Sequence, residues 1–214
     1  MVKSSAPSSE RGAALLIAIL TTLLLSAIAA SLVYVSTTET LISAAFRHGE
    51  ETSNAADAAL ERALLDLDLL PDWSVALLPP PATAGSFSDG QMQFAAPDGR
   101  RIDLGQLTLQ RQRDSDATYG SHSFGADSPQ WRLYAHSSLG DLLPAGSIAQ
   151  PAYLVVWIAD DGWDGDGNPA RDTNGRMLIR AEAYGGGGAR RAFEASVGRS
   201  AGGWLQVLTR RAVP

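Results

Sequence analysis

The sequence predicts an α+β fold, in which one long N-terminal helix, apolar enough in its first half to cross a membrane, packs on an antiparallel β-sheet head. Three observations predict it. From Ala13 to Val35 there are 23 residues and no charge. From Ser36 to Leu70 there is no proline, and Ala56, Leu60, Ala63, Leu64 and Leu67 recur at spacings of three and four. Beyond Gln91 the apolar residues come instead in short runs divided by Gly, Pro, Asp and Ser, the pattern of strands and turns.

The apolar stretch comes first. At about 1.5 Å rise per residue, residues 13–35 span ~35 Å as a helix, enough to cross a hydrocarbon core of about 30 Å with some tilt. Its polar interruptions are Thr21, Thr22, Ser26 and Ser31. Hydroxyls of this kind can donate back to helix carbonyls, which makes them tolerable in lipid. The flank before the stretch carries Lys3 and Arg11 against Glu10, and the next charge after it is Glu39. Positive charge before and negative charge after predict a cytoplasmic N-terminus, a single pass through the inner membrane and an exported head.

Three readings fit such an N-terminus. A secretory signal peptide has a shorter apolar core, of about 7–15 residues. A plain signal anchor is the second reading. The third is a prepilin-type leader, cut on the cytoplasmic side directly after a glycine that follows a basic residue. Arg11-Gly12-Ala13 has that form, so residues 1–12 would be the leader, and Gly12 and Ala13 would flank the cut.

The helix is expected to continue through residues 36–70 as an amphipathic segment and to stop at Pro71, because the residue before a proline is pushed out of the α region. Residues 71–90, with Pro71, Pro79, Pro80 and Pro81, read as an extended connector. Residues 91–214 form the β-rich head. Residues 91–96 and 101–111 alternate around Pro97-Asp98-Gly99-Arg100 and read as a hairpin, while 112–130 read as a polar surface excursion. Further strands are expected at 131–136, at 152–159 (the most apolar, placed centrally against the helix), at 177–184 and 190–197 around four glycines, and at 203–209.

The residues RGAALLIAILTTLLL, the segment Thr37-Thr38-Glu39-Thr40-Leu41 and the run Ala55-Ala56-Asp57-Ala58-Ala59-Leu60-Glu61-Arg62-Ala63 resemble the N-terminal region of PilX-type minor pilins of type IV pilus systems. The resemblance covers about the first 60 residues. It implies a pilin-like fold, cleavage by a prepilin peptidase, methylation of the new N-terminus, and assembly with other pilins on an inner-membrane platform, ending in a pilus or at the cell surface. The apolar residues Leu15, Leu16, Ile19 and Leu23 would be interface residues. The sequence departs from major pilins at the fifth mature position, where Ile17 stands in place of Glu. That departure resembles tip or priming subunits, and it leaves a type II secretion tip pseudopilin as the alternative. A single-pass anchored binding domain that never assembles is the reading from another class.

One loop carries candidate ion chemistry. Between two expected strands lie Asp160, Asp161, Asp164, Asp166, Asn168 and Asp172, interleaved with glycine. Asp164, Asp166 and Asn168 have the one-three-five spacing of a calcium loop, and alternate oxygens on a glycine-flexed turn can converge on a cation that takes six to eight of them. The twelfth position from Asp164 is Gly175, not Glu, so the loop is no EF-hand. The competing reading is a solvated hairpin loop of ordinary turn residues. Trp163, set among Gly and Asp with little to bury it, is a candidate interface residue.

Composition narrows the function. The chain has 214 residues and a net charge of −6. Arg190-Arg191 and Arg210-Arg211 are pairs rather than a patch, so no nucleic-acid partner is expected. There is no cysteine, so an exported head must hold together without disulfides. Ser121-His122-Ser123 puts a serine and a histidine in one tripeptide, which does not make a triad. No nucleophile elbow, phosphate loop or zinc-protease motif occurs. The expectation is a non-enzymatic protein.

Overall fold

The computed structural model describes residues 8–78, 85, 87–120, 124–144, 147 and 151–213. Residues 1–7 of the expected leader, the triple proline at 79–81 and the Ser121-His122-Ser123 tripeptide lie outside the described residues. The chain divides into two compact units, residues 1–46 and 47–214. Helix α1 (Ser8–Leu69) supplies the first unit and begins the second.

In the first unit every described side chain is exposed apart from Ala44, which is half-buried, and the helix is long and apolar enough to cross a membrane. The expected back-bonding is present at Thr21, Thr22 and Ser31. Thr21 Oγ1 donates to the Ile17 carbonyl at 2.7 Å, Thr22 Oγ1 to Ile19 at 2.8 Å and Ser31 Oγ to Ala27 at 2.9 Å. No polar group on these side chains then needs a partner outside the helix.

In the second unit α1 buries the predicted Ala56, Leu60, Ala63, Leu64 and Leu67, and with them Ala55 and Ala59. Four of the seven are alanines, whose small side chains let a helix come close to what it covers. The approach is tight enough that a Cβ on Gly185 would stand 2.0 Å from Thr52 Oγ1. That contact, more than turn flexibility, explains the start of the four-glycine run. His48 is half-buried against Gly186 and Gly187 of the same run.

The end of α1 is closed by groups from later in the chain. Trp73 Nε1 donates to the Leu67 carbonyl at 2.7 Å, the Arg199 guanidinium donates to the Leu70 carbonyl, and Arg199 also covers the Trp73 ring at 4.7 Å. These satisfy carbonyls that a helix end leaves open, with a cation at the negative end of the dipole. The connector is therefore not extended throughout. Asp72 accepts the Ser74 N–H and starts a 3₁₀ turn, Trp73–Leu77, that buries Trp73, Ala76 and Leu77.

A small hairpin follows, β1 (Gln93–Ala95) with β2 (Arg101–Asp103), closed by the predicted Pro-Asp-Gly-Arg turn. Residues 104–111 correct the expectation of a strand. They begin α2 (Leu104–Tyr119), which also replaces part of the expected surface excursion. The reason is local: Asp103 accepts the Gln106 N–H at 2.9 Å and caps the helix. The inward residues Leu104, Leu107, Arg111 and Ser115 are then spaced by three and four, not two.

The main sheet is a five-stranded antiparallel meander of β3 (Arg132–Ser138), β4 (Tyr153–Asp160), β5 (Arg176–Tyr184), β6 (Arg190–Arg199) and β7 (Leu205–Val213), in that spatial order. All five strands were expected near these bounds, although the last runs four residues further than read. β4 is second in the sheet rather than central, and it is buried at all eight positions. Its Leu154, Val156 and Ile158 join the core under α1, while Val155, Trp157 and Ala159 join a second core with Leu104, Phe94 and Trp131. An uninterrupted apolar strand is what two covered faces require.

Where the chain returns from the connector, Ser88 and Asp89 pair with the edge of β3 at His136. Ser88 Oγ lies 3.2 Å from His136 Nε2, Asp89 Oδ1 lies 3.0 Å from His136 Nδ1, and Tyr153 OH donates to Asp89 Oδ2 at 2.8 Å. Ser88 Oγ also accepts the Gly90 N–H. These contacts follow from the strand pairing itself and strap the returning chain to the sheet. Burial of His136 lowers its pKa against the opposing pull of Asp89.

Candidate functional site

Two features carry the functional argument, and each belongs to a different unit. The first is the apolar segment of α1. Leu15, Leu16 and Leu23 expose 63, 63 and 62% of their surface and Ile19 47%. Among the described residues, none before Ala55 belongs to either core. A continuous exposed apolar surface of this length is a candidate for a single membrane anchor. Gly12 and Ala13 lie in this helix, both exposed.

The second feature is the acidic loop between β4 and β5. The fold brings Asp164 and Asp166 together with Asp127, one oxygen of each lying within 4.8 Å of the others. Asp127 comes from a different part of the chain, the 3₁₀ turn Gly125–Asp127. Phe124 holds that turn in place. Its ring packs on Gly162 so closely that an added Cβ there would stand 2.4 Å from Phe124 Cγ, and it meets the Trp163 ring edge-on at 5.2 Å. Gly165 and Gly167 take positive φ values of 69° and 75°, which lets the loop fold back between its carboxylates.

The electrostatics of this loop are unbalanced. Asp127 Oδ1 and Asp164 Oδ1 are buried without a hydrogen-bond partner, although Asp164 Oδ2 accepts from Thr173 Oγ1 at 3.2 Å. Asp160 is 1% exposed, and neither of its oxygens receives a well-formed hydrogen bond; the Asp161 N–H lends only a weak one. Burial, and then the charges of Asp164, Asp172 and Asp161, push its carboxyl up to about 8.

The other expected ligands are used locally. Asp161 Oδ1 accepts from Asn174 Nδ2 at 2.8 Å, and Asn168 Oδ1 accepts the Ala170 N–H at 3.1 Å. Asp172 Oδ1 accepts the Gly175 and Arg176 N–H groups, and burial still leaves its pKa raised. So the structure joins two of the six expected residues, Asp164 and Asp166, and adds Asp127. No local signal in the sequence links Asp127 to the loop, because the contact depends on Phe124 packing across two loops.

No protein-family model matches this chain, and neither does any curated protein or solved structure. The functional reading therefore rests on the residues themselves.

Trp163 is 76% exposed. Beside it a cavity of about 390 Å³ is lined by Phe124, Gly162, Met177, Val197 and Leu208.

One polar cluster went unread in the sequence. Glu182, on β5, is fully buried. Its carboxylate accepts from Arg180 Nε at 2.8 Å, from Arg190 Nε and a terminal nitrogen at 3.0 Å each, and from Tyr184 OH at 2.8 Å. Arg111 of α2 stands 3.1 Å away. Burial opposes its ionisation, but the Arg190 hydrogen bond and the charges of Arg190, Arg111 and Arg180 outweigh that and hold the carboxyl below the ordinary range. It links α2 to the sheet.

Proposed function

We propose that this chain is a non-enzymatic minor pilin. It is anchored in the inner membrane through residues 13–35, cut by a prepilin peptidase between Gly12 and Ala13, and inserted through the same helix into a type IV pilus or its priming complex. The observation that carries this reading is an uncharged, wholly exposed helical stretch that starts directly after Arg11-Gly12 and leads into an amphipathic helix buried in an α+β head. Leu15, Leu16, Ile19 and Leu23 would contact lipid first and other pilins later. Its partners would be those pilins, the assembly platform and the peptidase. Ile17, standing where major pilins carry Glu, favours a tip or priming position over a bulk one. The same residue fits a type II secretion tip pseudopilin, whose head is usually larger and richer in inserted helix than this strand-rich one.

Replacing Gly12 by leucine tests the proposal, because it removes the small residue at the cut and leaves the helix intact. The expected outcome is a full-length precursor that accumulates in the inner membrane and is missing from sheared surface filaments, where the unaltered protein is found. A variant that still reaches the filaments uncut, or an unaltered protein never found there, would reject it.

A further inference from the structure

We propose that Asp127, Asp164 and Asp166 form a calcium site on the head, and that the ion also draws the proton from the buried, poorly hydrogen-bonded carboxyl of Asp160. The proposal concerns the head alone and holds whether or not the chain enters a filament.

The geometry matches the ion. Calcium holds its oxygens at about 2.3–2.6 Å, so two oxygens on opposite sides of it stand ~5 Å apart. The three carboxylate oxygens lie within 4.8 Å of one another, so one cation can touch all three. The triad offers only oxygen, with no His or Cys in it, which favours a hard cation over zinc. Three carboxylates leave room for backbone carbonyls and water, as a calcium shell of six to eight allows.

Asp160 is the independent observation. A carboxylate 1% exposed, without a well-formed hydrogen bond and with Asp164 as its strongest charged neighbour, is costly to bury beside other carboxylates. The unpartnered inner oxygens of Asp127 and Asp164 add to the same deficit. A solvated turn would direct these oxygens to water. Here they are closed off from water and unpartnered, and a cation shared between Asp127 and Asp164 supplies the partner they lack. Bound there, the ion would tie the Gly125–Asp127 turn to the β4–β5 loop and fix Phe124 against Trp163, a cross-link in a chain without cysteine.

The test uses the full chain in detergent, titrated with calcium while melting temperature and tryptophan fluorescence are followed. The expected result is a saturable rise in melting temperature with a Kd of about 10⁻⁴–10⁻³ M, the range of extracellular calcium modules, and no equal response to magnesium. Asp127→Asn and Asp164→Asn should each weaken binding at least tenfold. Asp166 is exposed and Asp166→Ala gives up only the Asn168 N–H bond at 2.7 Å, so it should weaken binding as much while lowering the calcium-free melting temperature by no more than a few degrees. Terbium luminescence sensitised by tryptophan, and its displacement by calcium, gives a reading independent of stability. No saturable calcium response, an equal response to magnesium, or unchanged affinity in Asp127→Asn and Asp166→Ala would overturn the assignment.

Discussion

Glu182→Ala is expected to destabilise the head by about 3–5 kcal/mol, the cost of breaking a buried ion pair by removing one partner. At roughly 2–4 °C per kcal/mol for a domain of this size, the melting temperature should fall by about 6–20 °C. The cause is the charge left behind. Arg111 and Arg180 are 6 and 7% exposed, and each loses its contact with the carboxylate at the centre of the cluster. Arg180 keeps Glu194 at 3.3 Å and Arg111 keeps Asp114 at 3.3 Å, which limits the loss but does not restore a central acceptor. Glu182→Gln keeps the shape and one acceptor, so its effect should be smaller.

The pH dependence has a definite sign. Because the folded carboxyl is held below the ordinary range, Glu182 contributes stability that is present above its unfolded pKa of about 4.3 and is lost as pH falls through its folded value. The difference in melting temperature between the native protein and Glu182→Gln should therefore be full at pH 6–7 and should shrink in acid. A difference that grew on acidification would contradict this account of the cluster.

Leu20→Arg combined with Leu24→Arg should abolish membrane integration. The two leucines are four residues apart on one stripe of α1 and are 64 and 62% exposed. An arginine near the bilayer centre costs about 2.5–3.5 kcal/mol on insertion scales, so the pair costs ~5–7 kcal/mol. At about 1.4 kcal/mol per factor of ten, that lowers partitioning by roughly 10⁴. The expected observation is loss of the protein from the carbonate-washed membrane fraction. The head of any surviving protein should melt at an unchanged temperature, since neither leucine belongs to its cores. A variant that stayed fully integrated would mean that residues 13–35 are not the anchor.

Much of the fold was legible in the sequence because one physical signal dominated each part. An uncharged run without proline determines α1, and a run such as Tyr153–Asp160 leaves a buried strand little alternative. Legibility failed where two signals competed. Ile102, Leu104, Leu107 and Leu109 suggest strand alternation, yet the Asp103 cap starts a helix that places Leu104 and Leu107 inward and leaves Leu109 54% exposed. The same holds at the connector, where the prolines concealed a short turn capped by Asp72.

The acidic loop was half legible. Asp164 and Asp166 stand out by spacing and do converge, but the carboxylate that joins them, Asp127, reaches them only through the Phe124–Gly162 contact. Glu182 gave no sign at all. A single acidic residue in a strand reads as solvent-facing until α2 is seen to cover that face with Arg111.

The central claim is that the apolar helix begins at a processed N-terminus and serves both as anchor and as assembly element. Mass spectrometry of the N-terminal peptide, on protein taken from the producing cell's membranes and sheared filaments, tests it most directly. The account predicts a chain that starts at Ala13 with a methylated amine in both fractions. A chain that keeps Met1 to Gly12, or one that starts beyond Val35, would contradict it.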